Sequence, residues 1–391
     1  MVALLELFHQ QGWTITYAST AQASDYCYPL ESLGISRRTV KVNDSNFDTF
    51  VKELAPELVL YDRFMVEEQF SWRVAQQCPA AISMIETSDL HCLRQGRQVA
   101  LKEKRAFVMS DLHNDIAYRE IASIQRSDLS LIISKYEIEV LTTVFKVDSR
   151  LIHYLPFIVE PSVMNALQEN WPSYQQRAGF MCIGNFKHPP NWDSVQYLKK
   201  DIWPLIRKQL PKANLSVYGA YPPPKAMQLN NPKEGFLVKG RAEDAYEVMQ
   251  QSRICLAPLR FGAGLKGKLL DAMECGTPSV TTPLGAEGMH GELPWAGQIE
   301  QSPQAIADAA VALYNDEQAW GKSQQNGLKI VRENFNPKDY EDALITRIKM
   351  IQQGLDKHRQ QNFQGAMLRH HTMRSTKYMS LWIEEKNKTL N

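Results

Sequence analysis

The chain has 391 residues, 44% hydrophobic and 22% charged, with 44 Lys plus Arg set against 43 Asp plus Glu. That length is too great for one ordinary core and predicts two domains, and the composition is that of a globular protein soluble in water. The near-neutral balance excludes a global attraction to nucleic acid or to an anionic bilayer and leaves only local patches open.

Residues 1–9 read as an amphipathic helix and Trp13-Thr14-Ile15-Thr16-Tyr17 as the strand after it. An α/β alternation that opens on a helix predicts a first strand and its loop upstream. Strands are predicted at 58–61, 81–84, 129–134 and 150–154, with a long polar helix over 101–123 and a shorter one over 137–144. Leu155-Pro156-Phe157-Ile158-Val159-Glu160-Pro161 interrupts the pattern with two prolines, and the domain linker is placed there. The alternation then restarts with strands at 180–183, 215–218, 236–239, 254–257 and 279–282 and helices over 192–209 and 242–251. A long helical tail follows Asn336-Pro337, then a polar, histidine-bearing segment that returns toward the first domain. The expectation is an α/β chain of two doubly wound, Rossmann-like domains facing across a cleft: residues 1–157, residues 158–345, and a tail over 346–391.

No apolar stretch reaches the length that spans a bilayer, and no secretory signal is visible. Six cysteines, at 27, 78, 92, 182, 255 and 275, show no CxxC pair and no zinc spacing, which reads as reduced, cytoplasmic usage. No metal-ligand cluster of conventional spacing appears, so neither a metal nor a tightly bound cofactor is expected.

The most informative segment runs from Gly262 to Gly276, a glycine-rich turn that enters a helix between two parallel strands. Gly262 and Gly264 let the backbone approach a ligand, and the first helical N–H groups, Leu265 onward, carry no internal partner and lie at the positive end of the dipole. Lys266 and Lys268 add charge. Asp271 stands where a carboxylate accepts hydrogen bonds from ribose hydroxyls. The alternative is a tight turn with solvent-facing lysines and an Asp271 that favours the helix start through the dipole alone.

Four pieces in order resemble the donor-binding domain of the retaining nucleotide-sugar glycosyltransferases of GT-B fold, the large glycosyl transferases group 1 family that includes sucrose synthase and mannosyltransferases. They are Ile183-Gly184-Asn185-Phe186 with Pro190-Asn191, Val217-Tyr218-Gly219, Val238-Lys239-Gly240, and Ala257-Pro258-Leu259-Arg260 leading through Gly262-Ala263-Gly264-Leu265-Lys266 to Asp271-Ala272-Met273 and Gly276-Thr277-Pro278. The resemblance covers residues 179–335 and extends loosely over the first half through Glu86-Thr87-Ser88-Asp89-Leu90-His91-Cys92-Leu93-Arg94. It implies a nucleoside-diphosphate sugar as donor substrate, transfer to an acceptor hydroxyl, and retention of anomeric configuration. In the family two glutamates stand eight positions apart after the glycine turn. Asp271 matches the second, which touches ribose; the first, which touches the donor sugar, falls on Ala263. The family's Arg and Lys pair falls on Asn185-Phe186-Lys187-His188, so the diphosphate is assigned to Lys266 first, with Lys268 and then Lys187 behind it.

The same resemblance puts His91 across the cleft from the donor sugar, with Asp89 orienting its ring or accepting a proton from the acceptor hydroxyl. A loop histidine capped by Asp89 is the alternative. Gly184 joins the phosphate-facing residues. Glu287 is expected to line the cleft near the sugar or to stand in water, and Arg241 to contact base or diphosphate or merely to start a helix. Ser110-Asp111-Leu112-His113 repeats the tetrapeptide around His91 but lies in a helical stretch and is set aside. So are Pro222-Pro223-Pro224, a stiff loop, and His370-His371, which point apart on a helix.

The reading is a cytoplasmic hexosyltransferase of bacterial surface-polysaccharide or glycan assembly, with a glycan or lipid-linked glycan acceptor, no nucleic-acid partner, and peripheral contact with the inner face of the membrane left open. Its rivals are a nucleotide-sugar-binding protein without transferase activity and a sugar-nucleotide epimerase of the same architecture.

Overall fold

A computed structural model describes residues 1–22 and 27–388, without the side chains of residues 371–373 and hence without that of His371. Among the described residues, twelve strands fall into three sheets, and every pairing between them is parallel. Strands β1 (Thr16–Ser19) and β2 (Ser36–Thr39) form a separate pair. Strands β3 (Leu58–Asp62), β4 (Ile82–Glu86), β5 (Leu129–Ile132) and β6 (Ile152–Tyr154) make a four-stranded sheet in chain order. The second half holds β7 (Phe180–Ile183), β8 (Leu215–Tyr218), β9 (Phe236–Gly240), β10 (Ile254–Ala257), β11 (Ser279–Thr281) and β12 (Gly297–Ile299), in the order β12-β11-β10-β7-β8-β9.

Parallel pairing demands a crossover between successive strands, and the helices that supply it cover both faces. That is why β10, read as Ile-Cys-Leu-Ala, is buried at every position. In the six-stranded sheet the strand order reverses between β7 and β10, where Met181 pairs with Cys255. The loops that leave the carboxyl ends of those two strands diverge there and open a crevice, the place where ligands bind in open α/β sheets. One of these loops begins at Gly184 and the other carries Gly262 to Lys266.

The chain's end returns to its beginning. Helix Glu341–Gln353 inserts Leu344, Ile345, Ile348 and Ile351 into one cluster with Leu4, Leu7, Phe8, Ile82, Met84, Leu129 and Leu131. Helix Phe363–Lys388 then packs across helices Phe64–Gln77 and Asp115–Arg126. Arg359 and Arg369 both reach the buried Asp128 carboxylate, at 2.7 and 3.0 Å, and the buried Arg73 joins Asp48 at 2.6 Å to Glu384 at 3.3 Å.

Several sequence expectations need correction. The single helix over 101–123 is two helices, His91–Lys102 and Asp115–Arg126, separated by a turn in which Lys104 takes φ 56° and Arg105 forks onto Asp111 at 2.7 Å. The repeated tetrapeptide at 110–113 therefore lies in a 3-10 turn, Met109–Leu112, and not in a helix. The first strand begins at Thr16, because Trp13 is held against Phe8 with ring centroids 4.9 Å apart. Strands β2 and β12 add to the expected set.

Candidate functional site

The glycine turn and the first loop of the second half meet over the switch point. Gly184 has φ 159°, and a Cβ there would stand 2.6 Å from Asn191 Nδ2 and 2.7 Å from Lys268 Nζ. Lys268 Nζ donates to Asn191 Oδ1 at 2.7 Å. The ammonium thus lies directly against the backbone of the Gly184 loop, and burial lowers its pKa. Helix Gly267–Glu274 begins immediately beneath. Its N–H of Leu269 is taken by Lys266 O at 2.8 Å, whereas those of Gly267 and Lys268 meet no acceptor among the described residues. Two N–H groups without an acceptor among the described residues thus open a helix that also carries a partly buried ammonium, the chemistry that suits a phosphate.

Lys266 faces the other way. It is buried, its Nζ donates to Gly264 O at 2.6 Å, and desolvation lowers its pKa to about 8 despite the nearby Glu287, Glu137 and Asp89. Leu265 is buried beside it in the apolar cluster under the turn. Asp271, in the middle of the helix, is pushed up to about 6 by burial, with Lys268 pulling the other way.

The first half presses onto this turn from the carboxyl end of β4. Gly264 takes φ 61°, and a Cβ there would collide with Asp89 Cβ at 2.9 Å and Ser88 O at 3.0 Å, so only glycine fits. Asp89 accepts from Arg94 Nη1 and stands 3.3 Å from His91 Nε2. Burial lowers the His91 pKa to about 4, with Arg94 and Arg63 adding to the effect and Asp89 opposing it. The imidazole is therefore neutral at pH 7, and its contact with Asp89 assigns the proton to Nε2 and leaves Nδ1 as an acceptor. His91 opens helix His91–Lys102, and the Glu120 carboxylate caps that helix start by accepting from His91 N and Cys92 N, each at 2.9 Å. Burial pushes Glu120 up to about 7.

Other candidates lie farther out. Glu287 follows the short helix Pro283–Ala286 and is held by Arg97, whose Nη1 and Nη2 reach its carboxylate at 2.9 and 2.8 Å. Lys187 is exposed, with Nζ 4.1 Å from the Tyr221 ring centroid, and Arg241 is exposed at the end of β9. Pro224 opens a short helix, Pro224–Met227, as a proline at a first helical position does. Among the described residues no group of three His, Cys, Asp or Glu is placed to hold a metal ion.

Sequence reasoning missed Asn191, His188, Arg97, Glu120 and Glu137. Asn191 and His188 come from the Gly184 loop, and His188 sits close enough to feel Arg94, Asp89 and Lys268, with burial lowering its pKa. The proline pair at 189–190, which starts a helix and turns the loop back, was the available signal for them. The others act from outside the loops, and spacing in the sequence gives no sign of it.

Residues 177–316 match the family described as Glycosyl transferases group 1. No curated protein matches the chain's sequence. Solved structures do resemble it. The chain is 15% identical to a sucrose-phosphate synthase from Thermosynechococcus elongatus, over 89% of this chain and 92% of that one, with a TM-score of 0.65. Anabaena HepE, solved with UDP and glucose, is 12% identical over 91% and 95% of the two chains, with a TM-score of 0.63. A mutant of S. aureus TarM, solved with UDP, fondaparinux and an α-GlcNAc-glycerol, gives 11% identity and a TM-score of 0.59; 77% of this chain spans 58% of that one. The fold is accordingly α/β with parallel sheets in the GT-B arrangement, and the second half carries a glycosyltransferase domain.

Proposed function

We propose that the chain transfers a hexosyl group from a nucleoside-diphosphate sugar to an acceptor hydroxyl, with the diphosphate seated between Lys268, the Gly184 loop and the N–H groups of Gly267 and Lys268. The observation that carries this reading is the Lys268 ammonium lying against the Gly184 backbone at the switch point, on a helix whose first N–H groups, Gly267 and Lys268, meet no acceptor among the described residues. As the bond from the anomeric carbon to the diphosphate breaks, negative charge grows on the leaving group, and donors already fixed around it lower the barrier. The acceptor oxygen forms the new bond to the anomeric carbon as the bond to the diphosphate breaks, and its proton passes to the departing diphosphate. Asp89, held by Arg94, orients the imidazole and leaves its Nδ1 as an acceptor. Asp271 serves the ribose. UDP is the preferred base, since the HepE and TarM structures hold UDP. The family resemblance supports retention, and the kinds of glycan made by such enzymes support a role in bacterial surface polysaccharide, with a glycan or lipid-linked acceptor and peripheral contact with the inner membrane face.

One observation favours the non-catalytic rival. Ala263 is buried in an apolar cluster with Leu90, Cys92 and Leu93, so no side chain there reaches a sugar hydroxyl. Calorimetric titration with UDP, GDP, ADP and their hexose conjugates, followed by an assay for nucleoside diphosphate release with an acceptor panel, separates the two. Binding with acceptor-dependent release supports transfer. Binding without release from any acceptor supports the rival, and no binding removes both.

A further inference from the structure

One buried acid belongs neither to the phosphate-facing group nor to the pair of His91 and Asp89. Glu137 stands in helix Lys135–Thr143 of the first half and is fully buried. Its Oε1 accepts two backbone N–H groups, each at 2.8 Å: one from Leu90, the residue before His91, and one from Gly264 in the glycine turn. These two amides belong to opposite halves of the molecule. Glu120 offers the contrast, because both of its amides, His91 and Cys92, lie in the first half. Oε2 of Glu137 is buried and has no hydrogen-bond partner.

The turn is held by the first half at three successive residues. Arg97 Nη1 donates to Gly262 O at 2.9 Å, Ala263 packs among Leu90, Cys92 and Leu93, and the Gly264 N–H goes to Glu137. A turn with two glycines in three residues has more backbone freedom to lose than any other, and what fixes it must come from outside. From the second half, Lys266 Nζ donates to Gly264 O, a contact within the turn itself, and Lys266 N meets Met289 Sδ at 3.4 Å. At the position where the family resemblance implies a sugar-facing glutamate this chain has Ala263. The nearest acid to that peptide arrives from the opposite half.

We propose that Glu137 is a positioning residue that sets the conformation of the glycine turn, by holding one N–H from each side of the cleft on a single carboxylate oxygen when the two halves are closed. This rests on the reading of the turn as the donor site. The donor still finds Gly267 N–H, Lys268 N–H and the Lys268 ammonium, none of which Glu137 occupies. The coupling leaves the phosphate donors of the second half in place and brings the residue before His91 and the donor turn into register together in the closed arrangement.

Amide hydrogen exchange on the full chain, read at Gly264 and Leu90, tests the bond independently of any activity. In the wild type both amides exchange at comparable, slow rates; fast exchange at Gly264 alone would overturn the proposal without a variant. Glu137→Met keeps the volume and removes the acceptor, and is expected to speed exchange at both amides by at least tenfold while β7 and β10 keep their protection. Glu137→Gln retains an acceptor oxygen and is expected to stay within about threefold of wild type. With a nucleotide sugar that the wild type turns over, Glu137→Met should lower kcat at least tenfold and leave donor affinity within about threefold, and Gln should restore kcat. Unchanged exchange at Gly264 in the Met variant sinks the positioning role. Absence of wild-type turnover with every donor would count against the transferase reading and leave the exchange result to decide the role of Glu137.

Discussion

Two lysines stand two residues apart at the start of one helix, and the geometry separates their roles. Consider Lys268→Met. The ammonium it removes is partly buried, 2.7 Å from Asn191 Oδ1 and against the Gly184 backbone, on a helix whose first two N–H groups meet no acceptor among the described residues. A hydrogen bond to a charged group contributes about 1.5–3 kcal/mol, and withdrawing one fixed donor from charge that grows in a transition state costs about 2.7–4 kcal/mol. At about 1.4 kcal/mol per tenfold, kcat/KM should fall on the order of a hundredfold to a thousandfold, and UDP affinity at least tenfold. Methionine fills the same space without a buried charge, so the folded state should be as stable as before. Lys266→Met removes an ammonium donor to Gly264 O instead, a bond of about 1.5–3 kcal/mol within the turn, and should cost about tenfold to a hundredfold. Steady-state release of nucleoside diphosphate and calorimetry with UDP measure both. A Lys268 variant within threefold of wild type, or a larger loss at Lys266 than at Lys268, would refute the assignment.

Four other outcomes follow from the same geometry. Burial raises Glu137 to about 8 against about 4.3 in an unfolded chain, so its contribution is fully present below about pH 4.3 and gone above about 8. Wild type should therefore lose stability relative to Glu137→Gln as pH rises from 5 to 8, and parallel melting curves across that range would contradict it. His91, lowered to about 4, stays neutral from pH 5 to 8; His91→Asn should cost about a hundredfold in turnover, and the wild-type rate profile should show no limb at the ordinary histidine value. Asp128→Asn leaves Arg359 and Arg369 facing one another over a lost partner, which costs about 3–5 kcal/mol; the melting temperature should drop by roughly 10 °C and the helix over 363–388 should become the first site of limited proteolysis. Arg97 and Glu287 should show a coupling of about 0.5–3 kcal/mol in a double-mutant cycle read by chemical unfolding, since their pair joins the two halves; additive single variants would deny the link.

The central strands were legible because they are buried on both faces. Phe180–Ile183 and Ile254–Ala257 are continuous apolar runs that cannot be mistaken for loops, and Leu215–Tyr218 alternates buried with half-buried positions. Ser36–Thr39 is a polar edge strand, largely exposed, and Gly297–Ile299 is three residues long, so neither carries a pattern to read. The break at Lys104 was invisible for another reason: the residues around it have helical propensity, and the turn is held by the fork of Arg105 on Asp111, a tertiary preference that propensity does not encode. At the site, the glycine spacing located the turn, and the acidic-histidine segment located its partner. Which lysine faces the Gly184 loop depends on where the helix starts to within one residue, the least predictable feature of any element. Glu137 and Arg97 act on the turn from more than a hundred residues away, and only closure of the two halves brings them there.

The helix over 341–353 completes the hydrophobic cluster that Leu4 and Leu7 begin. Between the translation of Leu4 and that of Leu344 a ribosome adding about 5–20 residues per second works for roughly 20–70 s. Once Ile299 is made the second half has all its strands and is free to fold, whereas the first half still waits for Leu344 with Ile82, Met84 and Leu129 uncovered. The half made first is thus the half that finishes last. Truncation before Leu344 should leave the glycosyltransferase domain structured and the partner half collapsed but unsealed, a nascent species for which a chaperone would be the natural companion.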